Sequence, residues 1–180
     1  MSDAIFTGEF LDVLVLENDL AEIRFDRRND SVNKLDIPMI DELDRALETM
    51  VNDVPALRGV LVTSGKDAFL AGADIAAFTS MFKQPESDLV AFSAYIDSVL
   101  SKLSDLPVPV VMAVNGYALG GGMEVVLSSD YRILANNGQV GVPEVSFGII
   151  PGAGGTVRLP RLIGGDAALE WIVSARAQKA

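Results

Sequence analysis

The sequence contains neither cysteine nor histidine. Without cysteine it can form no disulfide and can use no thiolate nucleophile. Without histidine it can build neither a Ser–His–Asp triad nor a zinc site with histidine ligands. Any acid–base chemistry near neutral pH is therefore expected to fall to carboxylates. The lack of cysteine is also compatible with the reducing cytoplasm.

Membrane, export and basic features are equally scarce. No apolar run approaches the roughly 20 residues of a membrane span. The N-terminal segment MSDAIFTGEF lacks the basic region and apolar stretch of a secretory signal, so we expect a cytoplasmic protein. The 14 lysines and arginines are outnumbered by 25 aspartates and glutamates, and the net charge of −11 argues against a nucleic-acid partner.

Apolar residues are plentiful. The chain has 180 residues, 49% of them hydrophobic, which suits one domain over residues 1–180 with a sizeable core. Strand-like and helix-like apolar spacings alternate along the chain and predict an α/β fold. The predicted strands are Asp12–Glu17, Leu20–Phe25, Leu57–Thr63, Val108–Val114, Tyr131–Leu134 and Gln139–Val142; the predicted helices are Asp36–Val51, Ser87–Ser104 and a terminal one around Ala167–Ser174, which Gly164 and Gly165 separate from the last loop.

The most informative stretch is NGYALGGGME, from Asn115 to Glu124. Three consecutive glycines stand between a buried strand and a predicted helix start, and a carboxylate follows two residues later. Glycine lets the backbone come close to a ligand, and the first turn of a helix presents unpaired N–H groups at its positive end. Such a loop can aim an N–H at a developing negative charge. The alternative is that these glycines serve only tight packing of strand against helix.

Two further segments complement this loop. Ala71–Ile75 also follows a strand and can supply a second N–H donor, while Glu144 adds a second carboxylate ahead of the glycine-rich Gly148–Gly155. Two backbone donors and two carboxylates can polarise a carbonyl and move protons at the adjacent carbons. Alone, Glu144 could equally be a loop carboxylate in solvent. Apparent phosphate loops at Gly59–Lys66 and Gly152–Gly155 lack the Walker and dinucleotide-binding spacings, which disfavours nucleotide hydrolysis or NAD binding.

These motifs resemble the crotonase (enoyl-CoA hydratase/isomerase) family. The matching sequence segments are AGADI, NGYALGGGMEV and GVPEVSFGIIPGAGGTVRLPR, the last of which ends at Arg161. The resemblance implies a crotonase-like spiral of repeated ββα units and an oxyanion hole formed by the N–H groups of Ala73 and Gly121. It also implies that Glu124 and Glu144 are catalytic. The substrate-binding residues it implies are Ala73, Asp74, Ile75, Ala76 and Gly121.

The resemblance is strongest to one subgroup of that family. Ser31–Asp36 and Asp105–Pro109 are similar to the amino-terminal part of the multifunctional fatty-acid oxidation α-subunit, in which a dehydrogenase follows. A homo-oligomer, or a subunit of the fatty-acid oxidation complex, is implied. Family domains continue beyond this length, so we expect the domain to be incomplete at its C-terminus. We accordingly expect incomplete cover over Trp171 and Ile172.

The reaction implied by the resemblance is hydration of a trans-2-enoyl-CoA to the 3-hydroxyacyl-CoA. It requires no metal and no cofactor beyond the coenzyme A of the substrate. Family analogy makes Glu144 the acid at C2 and Glu124 the base for water, but two coupled carboxylates leave that division open. Δ3,Δ2-enoyl-CoA isomerisation, other acyl-CoA reactions of the superfamily, and a non-enzymatic acyl-CoA-binding or assembly module remain alternatives. The polyanionic coenzyme A would need local cations, for which Arg27, Arg28, Lys34 and Lys66 are the candidates.

Overall fold

A six-stranded sheet forms the centre of the computed structural model, which describes residues 3–73 and 81–180. Its strands are β1 (Asp3–Thr7), β2 (Leu11–Val15), β3 (Leu20–Phe25), β4 (Gly59–Ser64), β5 (Val110–Val114) and β7 (Tyr131–Leu134), arranged in the order β1-β2-β3-β4-β5-β7. The first three strands pair antiparallel, and β3, β4, β5 and β7 pair parallel. The parallel half requires crossover connections, which the helices supply.

The helices are α1 (Ile37–Asp53), α2 (Glu86–Ser104), α3 (Gly121–Leu127), α4 (Gly155–Ile163) and α5 (Gly165–Ser174). The start of α1 shows how the sequence sets a helix boundary. The carboxylate of Asp36 accepts a hydrogen bond from the N–H of Met39 at 3.1 Å, and Pro38 lies in the first turn. Both residues favour a helix N-terminus because the first N–H groups have no partner within the helix.

A second sheet of three strands includes the strand that leads into the three glycines. It contains β6 (Tyr117–Leu119), β8 (Gln139–Gly141) and β9 (Gln178–Lys179), with β6 parallel to β8 and β8 antiparallel to β9. A parallel bridge between Leu70 and Ala118 joins the chain after β4 to β6. This bridge sets the relative position of the two loops that carry the predicted N–H donors.

The hydrophobic core lies between the large sheet and helices α1, α2 and α3. Fully buried side chains come from both layers, among them Phe25, Phe69, Ile23, Ile40, Leu43, Met50, Leu100, Leu103 and Met112. The rings of Phe25 and Phe69 meet edge to face with centroids 6.0 Å apart, a preferred aromatic geometry. Phe69 thereby anchors the loop that precedes Ala73.

The structure confirms the α/β class and most of the predicted elements to within a few residues. It corrects the interpretation of the segment before Gly164 as a loop, since α4 occupies Gly155–Ile163. The sequence does not predict this helix because it is flanked by glycines and contains Pro160, and both residue types normally mark turns. Strands β1, β6 and β9 were also missed, being only two to five residues long.

The terminal helix differs in detail from its prediction. Trp171 and Ile172 are partly buried and pack against the core, whereas Leu169 and Val173 are exposed. The exposed apolar surface of α5 therefore belongs mainly to Leu169 and Val173, and less to Trp171 and Ile172. Within residues 3–73 and 81–180, no helix combines the length and apolar character needed to cross a membrane.

Candidate active site

The three glycines form the turn from β6 into α3. Gly120 has φ +54° and ψ −126°, a conformation that strongly favours glycine. Its N–H donates to the carbonyl of Gly141 at 2.9 Å. Gly121 is the first residue of α3, so its N–H has no carbonyl partner within the helix and lies at the positive end of the macrodipole. The predicted helix start is confirmed.

The same glycines also pack tightly, as the alternative interpretation required. A Cβ on Gly122 would overlap the carbonyl oxygen of Leu70, and one on Gly121 would lie 2.5 Å from Cδ2 of Leu35. Close packing and a donor without a partner in its own helix are therefore two properties of one turn. The packing holds the backbone rigidly, which is the condition for a preorganised N–H donor.

The second donor loop, Ala71–Ala73, is held by the chain around Asn33. The Ala71 N–H donates to the carbonyl of Asn33, and the Leu35 N–H donates to the carbonyl of Gly72, both at 2.9 Å. A parallel bridge also pairs Leu35 with Ala73. Gly72 adopts φ +102° with its Cβ position 2.7 Å from the carbonyl oxygen of Leu119.

One isolated β-bridge lies shortly before both predicted donors. Leu70 pairs with Ala118 in a parallel bridge, and counting three residues onward along both chains reaches Ala73 and Gly121. Both residues line one cavity of about 700 Å³. This arrangement supports the oxyanion-hole hypothesis, which stays a prediction. Of the other predicted substrate-binding residues, Asp74, Ile75 and Ala76 lie outside the described residues.

Glu124 lies in the first turn of α3 and is only 3% exposed. Its Oε1 accepts hydrogen bonds from the N–H of Ala153 at 2.7 Å and of Gly155 at 2.8 Å. Burial raises the pKa of Glu124, while these N–H groups and the charge of Arg158 oppose the rise. The carboxylate is thus held in one orientation at the cavity wall, with one oxygen committed to the protein.

Glu144 opens a 3-10 helix, Glu144–Phe147, and is 8% exposed. Neither carboxylate oxygen has a hydrogen-bond partner within residues 3–73 and 81–180. Burial, followed by the negative charge of Glu124, raises the pKa of Glu144 to about 7. The solvent-exposed loop carboxylate considered from sequence is excluded by this burial. A carboxyl group that titrates near neutrality is suited to proton transfer.

The raised pKa of Glu144 predicts a pH-dependent stability. In the unfolded chain the group ionises near pH 4.5, whereas in the fold its pKa is about 7. Between these values the unfolded state releases a proton that the folded state keeps, so the free energy of unfolding falls as pH rises. The fall should total on the order of 2–3 kcal/mol. Urea unfolding at pH 4.5 and 7.5 should show a fall in the free energy of unfolding that Glu144→Gln reduces and the exposed control Glu170→Gln keeps.

Apolar side chains form much of the remaining cavity wall. They come mainly from one face of α2 and from the segment following Glu144, and include Leu89, Phe92, Ile96, Phe147, Ile149 and Ile150. An apolar wall beside a few convergent polar groups is typical of a small-molecule site. Sequence reasoning placed these residues on helices and loops without assigning them to the site, because only the tertiary fold brings α2 beside the 144–150 segment.

The four candidate cations are engaged in ion pairs. Arg27 pairs with Asp36, Arg28 with Asp12 and Asp26, Lys34 with Asp30, and Lys66 with Asp26. Each positive charge is therefore partly neutralised by a neighbouring carboxylate. Their role in binding a polyanionic group stays a prediction, and the pairing reduces the net attraction they offer.

Comparison with known proteins identifies the family. A family profile described as enoyl-CoA hydratase/isomerase matches residues 16–180, and the chain belongs to this family, also called the crotonase family. The α-subunit of the fatty acid oxidation complex of Pseudomonas putida (strain GB-1) is 46% identical over 176 residues, which cover 98% of this chain and 24% of that relative. The chain thus spans about a quarter of the length of the curated relatives it matches.

Solved structures confirm the crotonase fold. An enoyl-CoA hydratase of Geobacillus kaustophilus matches with a TM-score of 0.89 and 29% identity, covering 99% of this chain and 66% of that one. An enoyl-CoA hydratase of Bacillus anthracis matches with a TM-score of 0.84 and 35% identity, covering 95% of this chain and 65% of that one. The glycine turn, the Ala71–Ala73 loop and both glutamates belong to the part of the chain that these matches cover.

Proposed function

We propose that this domain hydrates trans-2-enoyl-CoA thioesters to 3-hydroxyacyl-CoA in fatty-acid oxidation. The observation that carries the proposal is the pair of buried carboxylates, Glu124 and Glu144, lining one cavity with the backbones of Ala73 and Gly121. Family membership and the relatives named as fatty acid oxidation complex subunits support it. By the same relationship we propose that the parent protein works as a homo-oligomer or as a subunit of such a complex.

The two N–H groups would act on the thioester carbonyl. Water adds at C3 of the conjugated double bond, and the electron pair moves through C2 onto the carbonyl oxygen, giving an enolate. The N–H groups of Ala73 and Gly121 would donate to that oxygen and stabilise its charge. One preorganised donor of this kind typically contributes about 3–4 kcal/mol of transition-state stabilisation. The apolar wall from α2 and the 147–150 segment would hold the acyl chain.

The two carboxylates would divide the proton transfers according to their surroundings. Burial raises the pKa of Glu124, and the hydrogen bonds from two N–H groups oppose that rise; because those N–H groups stabilise its ionised form, we assign to Glu124 the proton of the attacking water. Glu144, whose pKa is raised to about 7, is partly protonated at neutral pH and would deliver a proton to C2. The proton balance closes because one carboxylate gains the proton that the other loses. This mechanism uses no metal and no redox cofactor.

The proposal is tested by replacing Glu124 with glutamine and following hydration of crotonyl-CoA through loss of the conjugated thioester absorbance. Removing a general base typically lowers the rate about 100- to 10,000-fold, and we expect a loss in that range with little change in crotonyl-CoA affinity. The matched control is Glu170→Gln, at an exposed position on α5. Wild-type hydration by Glu124→Gln would remove this residue from the mechanism.

A second candidate function is Δ3,Δ2-enoyl-CoA isomerisation. The oxygens of Glu144 have no hydrogen-bond partner among the described residues, which favours isomerisation, since one carboxylate able to reach both C2 and C4 can shuttle the proton while the N–H groups hold the dienolate. A 3-enoyl-CoA substrate distinguishes the two functions. If Glu124→Gln abolishes hydration and retains isomerisation, both reactions share the Glu144 shuttle. If both rates fall together, Glu124 also serves the isomerisation.

A further inference from the structure

Arg158 lies behind Glu124 and contacts the residues that hold it. One guanidinium nitrogen, Nη1, donates to the carbonyl of Ala153 at 3.0 Å and to Oδ1 of Asp97 at 2.9 Å. The other, Nη2, donates to Oγ of Ser101 at 3.1 Å. The N–H of the same Ala153 donates to Glu124. A single residue thus has its carbonyl bound to Arg158 and its N–H bound to Glu124.

The guanidinium of Arg158 is largely buried and closely packed. The Arg158 side chain is 15% exposed, and the Cβ position of Gly154 would overlap Nη1. Gly154 has φ +92° and directly precedes α4, so only a residue without a side chain can turn the chain here beside the guanidinium. Asp97 and Ser101 both lie on α2. Arg158 therefore connects α4, the 153–155 turn and α2.

We propose that Arg158 is a positioning residue for Glu124, which fixes the 153–155 turn that orients the carboxylate and supplies the positive charge that favours its ionised form. This inference rests on the proposed function only for its kinetic readout. Loss of Arg158 should loosen the 153–155 turn, so that the N–H groups of Ala153 and Gly155 no longer point at Oε1 of Glu124. Through its charge, loss of Arg158 should make proton release by Glu124 harder.

The charged surroundings of Glu124 define the direction of the electrostatic effect. Burial raises the pKa of Glu124 most strongly, and the charge of Asp97 raises it further, while the Gly155 and Ala153 N–H groups and the charge of Arg158 lower it. Glu144 is a further charged neighbour, since the charge of Glu124 acts on it in turn. Removing Arg158 and removing Asp97 should therefore shift the pKa of Glu124 in opposite directions.

The decisive experiment compares Arg158→Gln with Asp97→Asn. Both variants break the same ion pair, but only Arg158→Gln also removes the hydrogen bonds to Ala153 and Ser101 and the positive charge near Glu124. Our proposal predicts that Arg158→Gln raises the pKa of Glu124 by about one unit or more and that Asp97→Asn does not raise it. The pKa is measured by carboxyl ¹³C NMR titration, with the Glu124 resonance assigned by its loss in Glu124→Gln. This measurement is independent of the reaction and so remains valid if the proposed function fails.

Kinetics provides the second readout. In Arg158→Gln we expect kcat for hydration to fall about 10- to 100-fold, KM to change less than about threefold, and the acidic limb of kcat/KM to move to higher pH. Arg158→Lys keeps the charge and should restore the acidic limb more fully than it restores kcat. The control is Arg161→Gln, an exposed position on the same helix. An unmoved Glu124 pKa in Arg158→Gln, or equal shifts in both ion-pair variants, would overturn the proposal.

Discussion

Replacing Glu144 with glutamine is expected to lower the rate of crotonyl-CoA hydration about 100- to 10,000-fold while making the protein more stable at pH 7.5. Activity falls because the amide cannot deliver a proton to C2. Stability rises because the substitution removes a carboxylate that must ionise while buried, with a pKa raised to about 7, and both of its oxygens lack a partner within the described residues. Opposite changes in activity and stability are typical of a residue kept for function.

Steady-state kinetics and urea unfolding at pH 7.5 check both halves of this prediction. Glu144→Asp is the matched variant, since it keeps the carboxyl group and shortens its reach by one methylene. It should lose activity yet keep the pH dependence of stability. If Glu144→Gln destabilises the protein at pH 7.5, ionising the buried Glu144 carboxylate does not cost the free energy that its raised pKa implies. If it hydrates crotonyl-CoA at the wild-type rate, Glu144 is not the proton donor.

Replacing Gly122 with alanine is expected to damage the site and the fold together. The new methyl group would overlap the carbonyl oxygen of Leu70, and backbone cannot yield as a flexible side chain can. Overpacking of this kind costs about 1–3 kcal/mol, which corresponds to a fall in Tm of roughly 3–10 °C for a domain of this size. Because Gly122 follows Gly121 in the same turn, the shift would displace the Gly121 N–H, and we expect kcat to fall about 100-fold or more.

Calorimetry and steady-state kinetics measure these two effects, and Gly165→Ala provides the control. Gly165 also begins a helix, and its Cβ position has open space around it. Alanine should be neutral there or stabilise by about 0.4–1 kcal/mol through the unfolded state. Wild-type turnover and Tm in Gly122→Ala would show that the glycine turn tolerates a shift, and the proposal that tight packing preorganises the Gly121 N–H would fail.

The parts of the site that were visible in the sequence are those specified locally. The turn at Gly120–Gly122 and the helix start at Gly121 follow from the conformational freedom of glycine next to a buried strand. Glu124 follows because it lies on the first turn of that helix. Strands such as β4 and β5 were predictable for a similar reason, since their β-branched runs leave few alternatives.

The parts that were hidden depend on contacts between distant segments. Burial of Glu144 requires the approach of Gly120, whose Cβ position lies 3.3 Å from Oε1. The Arg158–Asp97 pair joins residues 61 positions apart. A charged residue in a glycine-rich segment resembles ordinary solvated surface, and only its partners show otherwise. Helix α4 was missed for the local reason that glycine and proline obscured its amphipathic pattern.

Helix α2 has a consequence for how this domain can change its substrate. One face of α2 carries Leu89, Phe92 and Ile96 to the wall of the cavity, and a neighbouring face carries Asp97 and Ser101 to Arg158. If the cavity binds an acyl group as proposed, a mutation that enlarges the wall for a bulkier one can shift the helix and so disturb the arginine. Acyl-group range and proton-transfer rate are then coupled traits. Evolution or engineering of a new range on this scaffold should require a compensating change near Arg158, and the order in which the two mutations arise should matter.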